Sequence, residues 1–334
     1  MAAAAATGRL PPVLPPIGIG TYELRGNACV DAVRAALMMG YRLIDTAAVY
    51  RNEELVGEGI ASSGVPRAEL FIVVKIAMKS MKADEAVRHG ILDSLRKLRI
   101  DYADCVLMHW PGCGGLKPDN AAGHQAARAR CWRVMQVLQQ EGKVRHCGVS
   151  NFLPRHFEQL DSRPADRGGA MVNQVELHPL CVQRDVDAYC RGGRGMLLQQ
   201  YSPLGKGDSR LLQHPRLLEV HARYFGGGGD DVGAPLAYSV PDLLLMWGLA
   251  QRYCTLVRSH RVEHLRANLY AARDYLRSVE AAAAAAAGEA SDGGGSARAL
   301  LTAEQLDVVR RLRHYMGVEE DPDTHFCWYS AEIA

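Results

Sequence analysis

The run "RLIDTAAVYRNEELVG", residues 42–57, has an apolar start that reaches Asp45, and Tyr50 follows five positions later. Lys75 sits inside "LFIVVKI" and His109 inside "ADCVLMHW". A lysine in an apolar strand needs a carboxylate nearby, because an unpaired buried charge is expensive. Asp45, at the end of the preceding apolar run, is the obvious partner. A phenol has a reference pKa of about 10, too high for easy proton exchange near neutrality. A neighbouring ammonium favours the phenolate and lowers that value. Lys75 is therefore expected to tune Tyr50, Asp45 to hold Lys75, and His109 to hydrogen-bond a carbonyl oxygen that Tyr50 also contacts. Such a set polarises a carbonyl and delivers a proton to its oxygen. It holds no nucleophile activated by a base and no set of metal ligands. A carbonyl that receives a proton also needs a hydride from elsewhere, which implies a nicotinamide cofactor.

These residues have to be positioned by the elements that carry them. Along the chain, short apolar runs alternate with longer amphipathic segments. "PPIGIGTY" precedes a helical stretch near 28–39 and "YRLIDTA" one at 52–62. "LFIVVKI" precedes 83–98, where Ala86, Ile91, Leu95 and Leu98 fall roughly on one face. "ADCVLMHW" is followed by 124–141, "VRHCGVSN" by 154–161 and "AMVNQVEL" by 183–191. "GMLLQQYSP" leads to 211–224 and 235–252, and "CTLVRS" to 261–271. Near-continuous apolar strands suit a parallel sheet covered by helices. Eight strand–helix units over about 250 residues predict a closed (β/α)₈ TIM barrel, with an open sheet as the alternative. The active site of such a barrel lies at the C-terminal strand ends. Asp45, Lys75, His109, Ser150, Asn151, Gln174, Glu176, Tyr201, Ser202, Arg258 and Ser259 all fall there.

The 334 residues, 48% hydrophobic, are read as one barrel domain over 1–334. A net charge of +2 gives no reason to expect nucleic acid as a partner. No apolar run approaches the roughly 20 residues that cross a bilayer. The start, "MAAAAATGR", lacks the order of a secretion signal, so a cytoplasmic location is expected. Nine scattered cysteines without a CxxC pair suit a reducing compartment better than a disulfide framework. Cys105, His109 and Cys113 have helical spacing, but Pro111 and Gly112 break any helix that would align them on a metal. "GIGTYELRG" fails the GxGxxG pattern at Glu23, and no Lys-Ser/Thr pair follows "GGGGDDVG" at 226–233. Any dinucleotide must bind without those fingerprints. Residues 280–297, "EAAAAAAAGEASDGGGSA", are low in complexity and read as a flexible insertion. Its Ala-rich piece at 279–287 is able to extend a helix.

The motifs "GIGTY", "LIDTAAVYRNEELVG", "VVKI", "LMHWP", "GKVRHCGVSNF", "VNQVELHP" and "YSPLG" occur in order. With them the chain resembles an aldo-keto reductase over roughly residues 14 to 316. The resemblance implies a (β/α)₈ barrel that reduces aldehydes or ketones with NADPH, in a family of mostly cytosolic monomers. It implies Tyr50 as general acid, tuned by Lys75 and Asp45, with His109 orienting the carbonyl. Tyr201 matches the aromatic beneath the nicotinamide, and Ser150, Asn151 and Gln174 match the carboxamide ligands. Gly20, Thr21 and Tyr22 match the first loop, which touches cofactor and substrate. Ser202, Leu204 and Gly205 match the loop over the pyrophosphate.

The chain departs from the family pattern at the 2′-phosphate site. It reads Val257, Arg258, Ser259, then His264, Ala267 and Asn268, where the family has Pro-Lys-Ser and later Arg and Glu-Asn. Arg258 is still able to bind a phosphate. NADPH is expected with weaker selectivity, and NADH as a weaker alternative. Ala77 stands where some members carry Trp, which predicts a wider substrate pocket. Loop 111–130 and the tail "HFCWYSAEIA" are expected as further wall, with Tyr22, Trp110, Phe326 and Trp328 as apolar contacts. A cofactor-binding regulatory or structural protein on the same barrel is the rival reading, and the complete Asp45/Tyr50/Lys75/His109 set argues against it.

Overall fold

A computed structural model describes residues 14–157, 160, 169–192, 194–226, 237–288 and 300–319. Eight strands form a closed, all-parallel barrel in chain order, with β1 pairing β8. They are β1 (Ile17–Gly20), β2 (Leu43–Ala47), β3 (Phe71–Ile76), β4 (Ala103–Met108), β5 (Val144–Ser150), β6 (Val172–Glu176), β7 (Leu197–Tyr201) and β8 (Cys254–Val257). Between them run α1 (Gly26–Met39), α2 (Glu53–Ser63), α3 (Asp84–Leu98), α4 (Ala121–Gln140), α5 (Pro154–Phe157) and α6 (Arg184–Arg191). Then come α7 (Ser209–Leu212), α8 (Pro215–Tyr224), α9 (Val240–Ala250), α10 (Val262–Ala286), α11 (Ala303–Arg310) and α12 (Leu312–Tyr315). The expected barrel is therefore the fold, and the open sheet is excluded.

The period of two along each strand sorts the core into two parts. Ile44, Ile72, Val74, Val106, Val149, Val175 and Leu198 point out to the helices. Leu43, Val73, Cys105, Leu107, Val172, Cys254 and Leu256 fill the barrel bore. Extending that alternation by one step turns Asp45, Lys75, Gln174 and Tyr201 into the bore just above this plug. Gly18 and Gly148 are the inward positions that leave room for it. A Cβ on Gly18 would lie 2.1 Å from Leu43 Cδ2, and one on Gly148 would lie 2.6 Å from Leu107 Cδ2.

The helices differ from the sequence expectation mainly at their ends. On α3, Val87 is buried with Ile91, Leu95 and Leu98; Ala86, one residue earlier, is only half-buried. Helix α4 starts three residues earlier than expected, because Asn120 caps it by accepting from Gly123 N at 2.9 Å. Helix α10 runs on to Ala286, so the first part of the 280–297 stretch is helical, as alanine propensity allows. Residues 289–299, the loop at 227–236 and the tail at 320–334, with Phe326 and Trp328, lie outside the described residues. Among the described residues, seven cysteines are free and buried, and Cys181 is disulfide-bonded, a departure from an all-thiol chain. Among the same residues, no helix is long and apolar enough to cross a membrane.

Candidate active site

Lys75 and Asp45 stand side by side in the bore, 1% and 3% exposed, and the ammonium donates to Asp45 Oδ1. Their pairing follows from register: Ala47 is opposite Lys75 on the neighbouring strand, so Asp45 sits one inward step below it. Lys75 Nζ also donates to Gln174 Oε1 at 3.0 Å. Gln174 Nε2 in turn donates to Asp45 Oδ2 at 2.7 Å and to Gln199 Oε1 at 2.6 Å. The ammonium lies 5.2 Å from the centroid of the Tyr50 ring. Tyr50 reaches the site from the short turn Ala48–Tyr50 that follows β2. His109, the first residue after β4, meets Tyr50 edge to face at 5.7 Å between ring centroids. Trp110 stacks beyond it at 6.4 Å.

Burial holds the charged form of Lys75 down, and Asp45 opposes that effect. Burial, with the Lys75 charge as a lesser cause, lowers His109 from 6.5 to about 3. His109 is thus a neutral imidazole near pH 7, able to donate a hydrogen bond without carrying charge.

The loop after β1 is fastened to the loop after β2. Thr21 donates through both its backbone N–H and its hydroxyl to Asp45 O, each at 3.0 Å. The buried amide of Asn52 donates to Thr21 O at 2.7 Å and Leu24 O at 3.0 Å. Arg25 donates to Tyr50 O at 3.0 Å. This ties Tyr22 to Tyr50, with ring centroids 5.0 Å apart.

A cavity of about 520 Å³ opens over these groups at the C-terminal strand ends. It is lined by Gly20, Tyr22, Asp45, Tyr50, His109, Trp110, Ser150, Asn151, Gln174, Tyr201, Ser202, Leu204, Arg258 and Asn268, all singled out from the sequence. Asn151 donates to His109 O at 3.0 Å and accepts from Tyr201 Oη at 2.9 Å, which fixes the Tyr201 ring. Ser150 Oγ donates to Gln174 O at 2.8 Å. Asn151 and Ser202 take left-handed φ values of 61° and 48°, a local cost that non-glycine residues bear where the chain turns into the site.

Other expected residues stand behind the wall. Thr21 is fully buried and serves the loop tie, and Lys75 lies beneath the floor. Gly205, Ser259 and His264 do not line the cavity; Ser259 accepts from Arg261 N at 3.0 Å, at the start of α10. Ala77, the residue after β3, is 3% exposed and is not among the residues that line the cavity. Loop 111–130 contributes nothing to the cavity lining, and Glu176 is buried beside His178.

Three polar neighbours escaped the sequence reading. Gln199 completes the Gln174 network from the same inward face as Tyr201, and its only sequence signal was a polar residue inside "LLQQYSP". Lys206 lines the mouth, 5.8 Å from the centroid of the Tyr22 ring. Glu23 lines it too and pairs with Arg258 at 3.2 Å.

The profile of the Aldo/keto reductase family matches residues 16–215. The chain belongs to the aldo/keto reductase family. Among curated aldo/keto reductase relatives, it is 32% identical over 271 residues to glycerol 2-dehydrogenase (NADP(+)) of Saccharomyces cerevisiae. That match covers 76% of this chain and 82% of the relative. It is 35% identical over 257 residues to glyoxal reductase of Bacillus subtilis, covering 75% and 81%. Among solved aldo/keto reductases, one from Brucella melitensis is 28% identical with a TM-score of 0.65, covering 90% of this chain and 95% of that one.

Proposed function

We propose that this aldo/keto reductase reduces aldehydes or ketones to alcohols with NADPH, with Tyr50 as the proton donor. The observation that carries the reading is the placement of Tyr50 between the Lys75 ammonium and the neutral His109 at the floor of one cavity. An ammonium beside a phenol stabilises the negative charge that develops as the phenol gives up its proton. Asp45 and Gln174 hold that ammonium in place. His109 donates to the carbonyl oxygen and leaves the proton transfer to Tyr50, since an imidazole with a pKa near 3 is not an acid reservoir at pH 7. Tyr22, Val49 and Trp110 form an apolar rim that orients a small carbonyl compound and sheds water.

The residues present fit a nicotinamide dinucleotide. Tyr201 offers an aromatic face held by its bond to Asn151. Gln174 keeps a second lone pair on Oε1, and Ser150 and Asn151 stand beside it to receive a carboxamide. Arg258 and Lys206 supply positive charge at the mouth for the phosphates. The cofactor supplies the hydride when bound. Gly20, Ser202, Leu204 and Asn268 form its remaining wall, and Arg258 discriminates the 2′-phosphate, with NADH as the weaker partner. The names of the two curated relatives, one an NADP(+) dehydrogenase and one a glyoxal reductase, support the same assignment.

The test is turnover of 4-nitrobenzaldehyde with NADPH, followed by loss of nicotinamide absorbance. Steady oxidation of NADPH with formation of the alcohol is expected. A protein that binds NADPH stoichiometrically and turns over no aldehyde would be a binding protein and not a reductase.

A further inference from the structure

With NADPH as the coenzyme, Arg258 meets the 2′-phosphate, and the role assigned to Glu23 rests on that proposed function. The guanidinium is already engaged: its Nη2 lies 3.2 Å from Glu23 Oε2. Strands β1 and β8 are neighbours in the closed barrel, so the loop after β1 and the residue after β8 meet at the same edge of the cavity. Both side chains line it. Glu23 has a left-handed φ of 62°, a conformation a glutamate adopts at a cost. The turn is held from beneath by the bonds from Asn52 to Thr21 O and Leu24 O. The loop backbone is thus anchored independently of the ion pair.

We propose that Glu23 sets the coenzyme preference of this reductase. Its carboxylate occupies the guanidinium that a 2′-phosphate requires, and so weakens binding of NADPH relative to NADH. A phosphate monoester must displace the carboxylate and then lie beside its negative charge. A ribose hydroxyl does neither. The pyrophosphate is common to both coenzymes and feels Glu23 equally, so the ratio of the two affinities isolates the effect. The two side chains are 41% and 52% exposed, and an exposed pair of this kind is weak and screened by salt. Glu23 therefore biases the choice and does not block NADPH.

The experiment measures dissociation constants of NADPH and NADH by fluorescence titration for the parent, Glu23→Gln, Arg258→Ala and the double variant. Glu23→Gln is expected to tighten NADPH about two- to fivefold and to leave NADH nearly unchanged. The gain should vanish in the Arg258→Ala background and shrink as salt is raised. An unchanged NADPH constant, or equal shifts for both coenzymes, overturns the proposal; equal shifts are what a Glu23 acting on Lys206 or the pyrophosphate would give. If Arg258→Ala weakens NADPH selectively while Glu23→Gln changes nothing, only the role of Glu23 fails. If the parent binds no NADPH, the cofactor reading falls and this proposal with it.

Discussion

Gln174 donates through Nε2 to the side-chain oxygen of Gln199 at 2.6 Å. The same amide bonds Asp45, and its oxygen accepts from Lys75. Asp45 only accepts and Lys75 only donates, so together they fix which way the Gln174 amide faces. Gln199 must then present its oxygen, and its own Nε2 lies 3.4 Å from Cys254 Sγ. Replacing Gln199 by Leu leaves a buried N–H of Gln174 without its acceptor. A stability loss of about 1–3 kcal/mol is expected, with a several-fold fall in kcat as Lys75 loses a rigid neighbour. Urea melts and steady-state kinetics check both, and an unchanged pair of values would show that Gln199 only fills space.

Tyr50→Phe removes the proposed acid and keeps the ring against Tyr22 and His109. Carbonyl reduction is expected to fall by about 10²-fold or more, while the Kd for NADPH stays within about twofold. Single-turnover rates and a cofactor titration measure the two separately. A phenylalanine variant that retained the parental rate would remove Tyr50 from the mechanism.

His109 is 6.5 in its reference state and about 3 when folded, so the unfolded chain binds the proton more readily. The stability it contributes is complete above about pH 6.5 and is lost as pH falls toward 3. The slope is about 1.4 kcal/mol per pH unit in that window. His156, lowered to about 4 by burial, adds a second contribution of the same sign. His109→Gln should therefore flatten, without abolishing, the decline in Tm between pH 6.5 and 5. A variant whose Tm falls as steeply as the parent's would argue against a buried neutral imidazole.

Gly148→Ala would place its Cβ 2.6 Å from Leu107 Cδ2 and 2.8 Å from Val172 O. The carbonyl belongs to a neighbouring strand and has little freedom to yield. A loss of about 1–3 kcal/mol is expected from overpacking, read as a lower urea midpoint with an unchanged slope. Gly64→Ala is the contrast: nothing lies within 4 Å, so its cost comes only from a φ of 72°.

The barrel was legible because its strands are largely apolar runs, and a charged residue or histidine that breaks such a run near its end, as Lys75 and His109 do, points to the site. Other features depend on contacts the linear pattern does not encode. The Glu23–Arg258 pair exists only because β8 closes on β1, which brings residues far apart in sequence to one edge. The helical reading of the Ala-rich piece at 279–287 fits α10, which runs on to Ala286, whereas the residues between 271 and 279 that join it to the helix carried no signal of their own.

The plug of Leu43, Val73, Cys105, Leu107 and Leu256 closes the bore beneath Asp45 and Lys75. Among the described residues the site is thus sealed off from the opposite, N-terminal end of the barrel, and a guest reaches its floor from the C-terminal side.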